Sequence, residues 1–150
     1  MKHFMIFLTL VTLGITAQAQ TATDSVKAAI NQLFAAMKAA DTVMLKNAFH
    51  ETAIMQTIVR NKEGATIIRT ESVADFAKQV SGFPKDAIDE RIEFETIKID
   101  GPVAAVWTPF KLYLNGKFYS CGINSFQVVR INGAWKIQYI IDTRRQKGCE

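Results

Sequence analysis

Residues 103–141, VAAVWTPFKLYLNGKFYSCGINSFQVVRINGAWKIQYII, decide the fold class. Asn115-Gly116 and Asn132-Gly133 each interrupt long runs of β-branched and aromatic residues. Both are two-residue hairpin signals, because Asn and Gly tolerate the positive φ such turns require. The stretch is therefore predicted as three antiparallel strands in a meander. Centring the pairing on the two turns sets Trp107 opposite Asn124 and Asn124 opposite Ile141. Ala105, Phe126 and Tyr139 form a second row, and Val103, Val128 and Ile137 a third. Side chains alternate along a strand, so these rows share one face, predicted to lie under helices. The opposite face carries Ile123, Gln127, Val129, Lys136, Gln138, Ile140 and Asp142, half solvated yet apolar enough for a dimer interface. A bulge at Pro109 or Gly122 would shift the pairing, so the register is firmest beside Asn132-Gly133.

Upstream, the periodicity changes from two to between three and four. Asp24 is placed to cap a helix with Val26, Ile30, Leu33, Phe34 and Met37 on one side. Asp41 is placed to cap a second, shorter one bearing Met44, Leu45, Ala48 and Phe49. Residues 53–59 and 65–70 are predicted strands around the Asn61–Gly64 turn, and Ser72 opens a third helix that Gly82 and Pro84 end. From Ile88 the chain is β, with Ile92, Phe94 and Thr96 alternating with charges. Three helices followed by a long antiparallel sheet give an α+β domain.

The N-terminus has a different character. Lys2 and His3 precede an uncharged run from Phe4 to Ile15, followed by Ala17-Gln18-Ala19. This is the pattern of a cleaved signal peptide over residues 1–19, too short to span a bilayer. It leaves residues 20–150 as a single domain in the periplasm or outside the cell. Removing Lys2 leaves 17 basic against 14 acidic residues, a net of +3. No basic stripe interleaved with aromatics is present, so a nucleic-acid partner is not expected, nor a membrane one after cleavage.

An exported chain with two cysteines, Cys121 and Cys149, invites a disulfide. The register puts Cys121 opposite Arg144, with Cys149 five residues further along and able to curl back. The rival is one buried and one terminal thiol. No metal site or cofactor is expected, since no CxxC, His cluster or ligand-spaced acidic set occurs.

The order of elements resembles the nuclear transport factor 2-like superfamily, a cone of curved sheet and helices around a pocket. Val103-Ala104-Ala105-Val106-Trp107, Asn115-Gly116-Lys117, Gly133-Ala134-Trp135-Lys136-Ile137 and the Asp142-Thr143-Arg144-Arg145 ending are similar to exported bacterial members. Those members are described as lumazine-binding-like or SnoaL-like (polyketide cyclase-like). The resemblance spans about Thr23 to Arg145 and implies a pocket; the superfamily holds isomerases, dehydratases, cyclases and binding modules alike.

The inner face offers Asn124 and Tyr139 beside Trp107, polar groups that a ligand or a backbone group can satisfy. Trp107 serves equally as a pocket wall or as core. His50, the one histidine after residue 19, falls at the end of the second helix, where it can cap carbonyls or act as a base at the pocket mouth with Met55. The predicted inner face holds no carboxylate: Asp142 falls outside, and the facing of the strand carrying Glu90 is not fixed. The leading expectation is an exported domain binding a small apolar or planar molecule, homodimeric through the outer sheet face. The alternatives are an isomerase, cyclase or dehydratase using His50 or Tyr139, and an interaction domain whose cavity is filled by its own side chains.

Overall fold

The computed structural model describes residues 21–149, and the leader expected over residues 1–19 lies outside them. The described residues form three helices and seven strands: α1 (Ala22–Ala39), α2 (Thr42–Ala48), β1 (Phe49–Arg60), β2 (Thr66–Glu71), α3 (Val73–Val80), β3 (Ile88–Ile92), β4 (Thr96–Asp100), β5 (Val103–Leu114), β6 (Lys117–Ile131) and β7 (Ala134–Arg145). The sheet runs β2-β1-β7-β6-β5-β3, with β4 also paired to β5. Every pairing is antiparallel except β1 with β7, so the last strand of the chain sits in the middle of a mixed sheet.

Local chemistry explains the boundaries. Thr21, rather than Asp24, caps α1: its hydroxyl accepts from the Asp24 amide, and Asp24 stands in the first turn, where the helix dipole favours it. Asp41 caps α2 and Ser72 caps α3, as expected. Both hairpins turn through Asn-Gly pairs with positive φ, 51° and 76° at Asn115-Gly116 and 51° and 84° at Asn132-Gly133. The chain after Ile88 is two strands where one was expected, broken at residues 93–95, with both short strands pairing with β5.

The register differs from the turn-centred one. Val128 pairs with Ile137 as expected, but Gln127 pairs with Tyr139, so β7 holds an extra residue, Gln138, in a bulge. A second irregularity lies between Leu112/Ser120 and Tyr113/Phe118, leaving Tyr119 extra on β6. Neither is at Pro109 or Gly122. Because side chains alternate, a one-residue slip exchanges the faces. The inner face of β5 is therefore Ala104, Val106, Thr108, Phe110 and Leu112, all buried, while Trp107 and Val103 face out. On β7, Ile140 and Asp142 face in, and Tyr139 faces out. The expectations of an inward Trp107, Ala105, Val103 and Tyr139, and of an outward Asp142 and Ile140, are corrected by these two bulges.

The core lies between this face and the helices. Val26, Ile30, Leu33 and Phe34 of α1 and Leu45 of α2 meet Phe126, Val128 and Ile137 of the sheet, with Phe34 and Phe126 edge to face. Lys38 of α1 pairs with Asp89 of β3 at 3.0 Å, and Arg91 pairs with the same carboxylate at 2.8 Å. Lys38 first and Arg91 second hold the Asp89 carboxyl below its ordinary value. On the outer face Cys121 and Cys149 form a disulfide that ties the tail beyond β7 to β6.

Candidate functional site

A cavity of about 100 Å³ opens between α1, α3 and the inner sheet face. Leu33, Phe34 and Met37 of α1, Phe76 of α3, and Met55, Leu112 and Ile140 of the sheet form apolar walls. Its other side is charged: Glu71, Glu90, Asp142 and Arg144, with Asn124 among them. This end follows from the true register, in which Thr108, Asn124, Asp142 and Thr57 form one row across β5, β6, β7 and β1. The neighbouring row toward the turn is Val106, Phe126, Ile140 and Met55, which is wholly apolar.

The polar groups are linked in two pairs. Asn124, 2% exposed, donates its amide N–H to Glu90 Oε1 at 2.9 Å. Arg144 donates through Nε to Asp142 Oδ2 at 2.6 Å. Asp142 is 6% exposed, and its second oxygen, Oδ1, has no hydrogen-bond partner among the described residues. A buried carboxylate oxygen left unmet is costly, so something should satisfy it. Glu90 is partly buried as a residue, and loss of hydration around its carboxyl raises its pKa to about 7, with the Asn124 hydrogen bond and the Arg144 charge opposing and Asp142 adding repulsion. Near neutral pH this carboxyl is populated in both its protonated and ionised forms, a property suited both to binding charged ligands and to proton transfer.

Of the residues singled out from sequence, the fold brings Asn124 and Met55 to this cavity. Trp107 is on the outer face and 44% exposed. Tyr139, also outside, donates its hydroxyl to Gln56 Oε1 at 2.6 Å. His50 is the second residue of β1 rather than the end of α2; its Nδ1 lies 2.9 Å from Thr52 Oγ1, and it does not line the cavity. Sequence reasoning passed over Glu90, Asp142 and Arg144. A signal for Glu90 was present: Ile88, Glu90 and Ile92 alternate with Asp89 and Arg91, so Glu90 shares its face with two isoleucines. A larger groove of about 530 Å³ lies on the outer face around the disulfide, lined by Arg91, Glu93, Lys111, Tyr113 and Arg145. Arg91 is already paired there with Asp89 and stacked on Tyr113, so the inner cavity, with its unmet buried oxygen, is the candidate site.

Residues 21–139 match the family described as "Putative lumazine-binding". The chain belongs to that family. Its fold is that of the nuclear transport factor 2-like superfamily, as solved structures also show. A nuclear transport factor 2-like protein of unknown function from Shewanella baltica OS155 superposes with a TM-score of 0.64 at 11% identity, over 86% of this chain and 100% of that one. One from Methylobacillus flagellatus KT gives 0.64 at 19% identity, over 83% and 92%. A ketosteroid isomerase-like protein from Erwinia carotovora atroseptica SCRI1043 gives 0.59 at 11% identity, over 81% and 95%. At such identities the likeness is one of fold. No curated protein matches the chain in sequence. The lumazine-binding family label and the cavity agree on a ligand-binding domain.

Proposed function

We propose that this member of the lumazine-binding family is an exported domain that holds one compact small molecule between α1, α3 and the sheet. The observation that carries this is Asp142 Oδ1, buried and unmet at the charged end of an otherwise apolar cavity. Export, to the periplasm or beyond, is supported by the leader pattern in residues 1–19 and by the disulfide, which persists in oxidising compartments. A homodimer through the outer sheet face is supported by the exposed Trp107, Val103 and Ile54. Light scattering at micromolar concentration should report twice the monomer mass.

Native mass spectrometry of the domain purified from an exporting host tests the binding role. A co-purifying adduct, or added lumazine, should be retained by the parent chain and lost from Met55→Trp, which fills the apolar wall. An empty Met55→Trp with the parent also empty toward lumazine and every co-purified molecule would sink the proposal.

A second function is favoured by the place of Glu90 in the cavity wall, hydrogen-bonded by Asn124, where loss of hydration pushes its carboxyl up to about 7. A carboxyl of that kind inside a cavity can serve as general acid or base, the role first sought in His50 and Tyr139. Turnover that disappears in Glu90→Gln while ligand is still bound would establish an enzyme; unchanged turnover would remove Glu90 from that role.

A further inference from the structure

The residues lining the cavity include three carboxyls, Glu71, Glu90 and Asp142, against one guanidinium, Arg144. All four are already engaged, in ways that leave acceptors rather than donors. Arg144 gives its Nε to Asp142 Oδ2, which leaves Oδ1 of the same carboxylate unmet, and Asn124 gives its amide to Glu90. Glu71 accepts from the side chain of Gln79 on α3. The walls facing these groups from α1 and α3 are Leu33, Phe34, Met37 and Phe76, which bring no charge. Lys38 of α1 is bound to Asp89 on β3 and does not line the cavity. Two of the wall residues are aromatic, and a ring face attracts a cation.

We infer that the cavity takes a small organic cation, an amine, amidine or protonated amino-heterocycle, whose N–H donors meet Asp142 Oδ1 and the Glu90 carboxyl while its apolar body lies against Phe34, Met37, Met55 and Phe76. This rests on the cavity being the binding site, as proposed above. The excess of carboxyls decides the sign of the ligand: an anion would meet Glu90 and Asp142 with only the Arg144 guanidinium in its favour, and that is already paired. A metal ion is a poorer fit, because no group of three His, Cys, Asp or Glu side chains is placed to hold one among the described residues. The size of the cavity limits the buried part of the ligand to a single ring or a short chain.

A proton is coupled to this binding. Glu90, facing Asn124 on β6, Asp142 and Arg144 on β7, and apolar α1, is about half protonated near pH 7. A bound cation favours the ionised carboxylate, so binding releases a proton below that pH, and affinity rises as Glu90 ionises. From pH 6 to pH 8 the ionised fraction grows by about tenfold for a carboxyl of pKa about 7, and affinity for a cation should grow by roughly that factor.

The test compares three probes of one shape, benzamidine, benzamide and benzoate, by calorimetric titration of the disulfide-intact domain at pH 6, 7 and 8. Benzamidine is expected to bind at least about tenfold tighter than benzoate at pH 8 and to weaken about tenfold at pH 6. Glu90→Gln should keep binding but flatten the pH profile, and Asp142→Asn should abolish the preference for benzamidine. Should Asp142→Asn fail to fold, the pH profile of Glu90→Gln decides. Benzoate or benzamide binding as tightly as benzamidine, and being excluded by Met55→Trp, would overturn the cationic assignment and leave the binding site standing. Binding of benzamidine that is unaffected by Met55→Trp would overturn the site itself; failure of all three probes would overturn the cationic assignment, and the site falls with it only where the parent chain is also empty toward lumazine and every co-purified molecule.

Discussion

Near the Asn132-Gly133 turn the inner sheet face is Ala104, Val128 and Ile137, with no measurable exposure; two rows further on, the same three strands present Thr108, Asn124 and Asp142. The first region is a dry core closed by α1 and α2. The second is a half-wet cavity with an ion pair, a near-neutral carboxyl and an unmet oxygen. Between them lies one extra residue, Gln138. Without it β7 would carry Tyr139, Ile141 and Thr143 inward, and neither Asp142 nor Arg144 would reach the cavity. Bulges concentrate near functional sites because they re-aim side chains without remaking a sheet. Here a single bulge separates a stretch of sheet that stabilises from one that can bind.

The two regions respond differently to substitution. At the cavity end, Gly122 stands opposite Phe110 and Arg144, and a Cβ added there would lie 1.7 Å from the Thr143 carbonyl oxygen and 2.8 Å from the Phe110 ring. Gly122→Ala must force β6 and β7 apart, so it should cost more than about 4 kcal/mol in urea unfolding or prevent folding. In the dry region, Ile137→Ala should cost about 2–5 kcal/mol through the cavity it leaves, with ligand affinity little changed. A cost below about 1 kcal/mol there would show that the core is looser than its burial indicates. Cys149→Ala opens a loop of 28 residues and should lower stability by roughly 3 kcal/mol, without altering the inner cavity.

The smallest effect is the one that changes with pH. Glu90 in the folded chain holds its proton to about pH 7, against an ordinary value of 4.5, so between these the folded state binds more protons than the unfolded one. Stability contributed by this group is present below about pH 4.5 and declines as pH rises through 7, by at most ~3 kcal/mol. Glu90→Gln should therefore raise the melting temperature at pH 8 and leave it nearly unchanged at pH 4. An equal shift at both would mean that the Glu90 carboxyl is hydrated like a surface one.

The difference between the regions also marks how far the sequence can be read. The two Asn-Gly turns, the caps at Asp41 and Ser72 and the helix faces were legible, because each is written in residue types with a distinct conformational preference. The Val128–Ile137 pair, four residues from its turn, was legible for the same reason. Beyond it the bulges at Tyr119 and Gln138 carry no glycine or proline to mark them. Each reverses the facing of what lies beyond it. Trp107 and Tyr139 were thus placed inside and Asp142 outside, and the charged end of the cavity was hidden. Asn124 and Met55 reached the cavity by different routes: Asn124 because the slips left β6 facing as expected, Met55 because β1 borders the cavity.

The parallel pairing of β1 with β7 has a consequence in time. Phe49 to Ile58 must wait for Ile137 to Thr143, more than eighty residues later, before the middle of the sheet exists. During synthesis, β1 and β2 can form a ribbon and the helices can turn, but the strand that joins this half to β6 arrives last. Contacts of such high sequence separation slow folding, because the chain must close a long loop before any of them forms. Until β7 docks, the apolar faces of α1 and β1 are only partly covered, by α2, α3 and β3, and a newly made chain spends that interval open to chaperones and to other copies of itself.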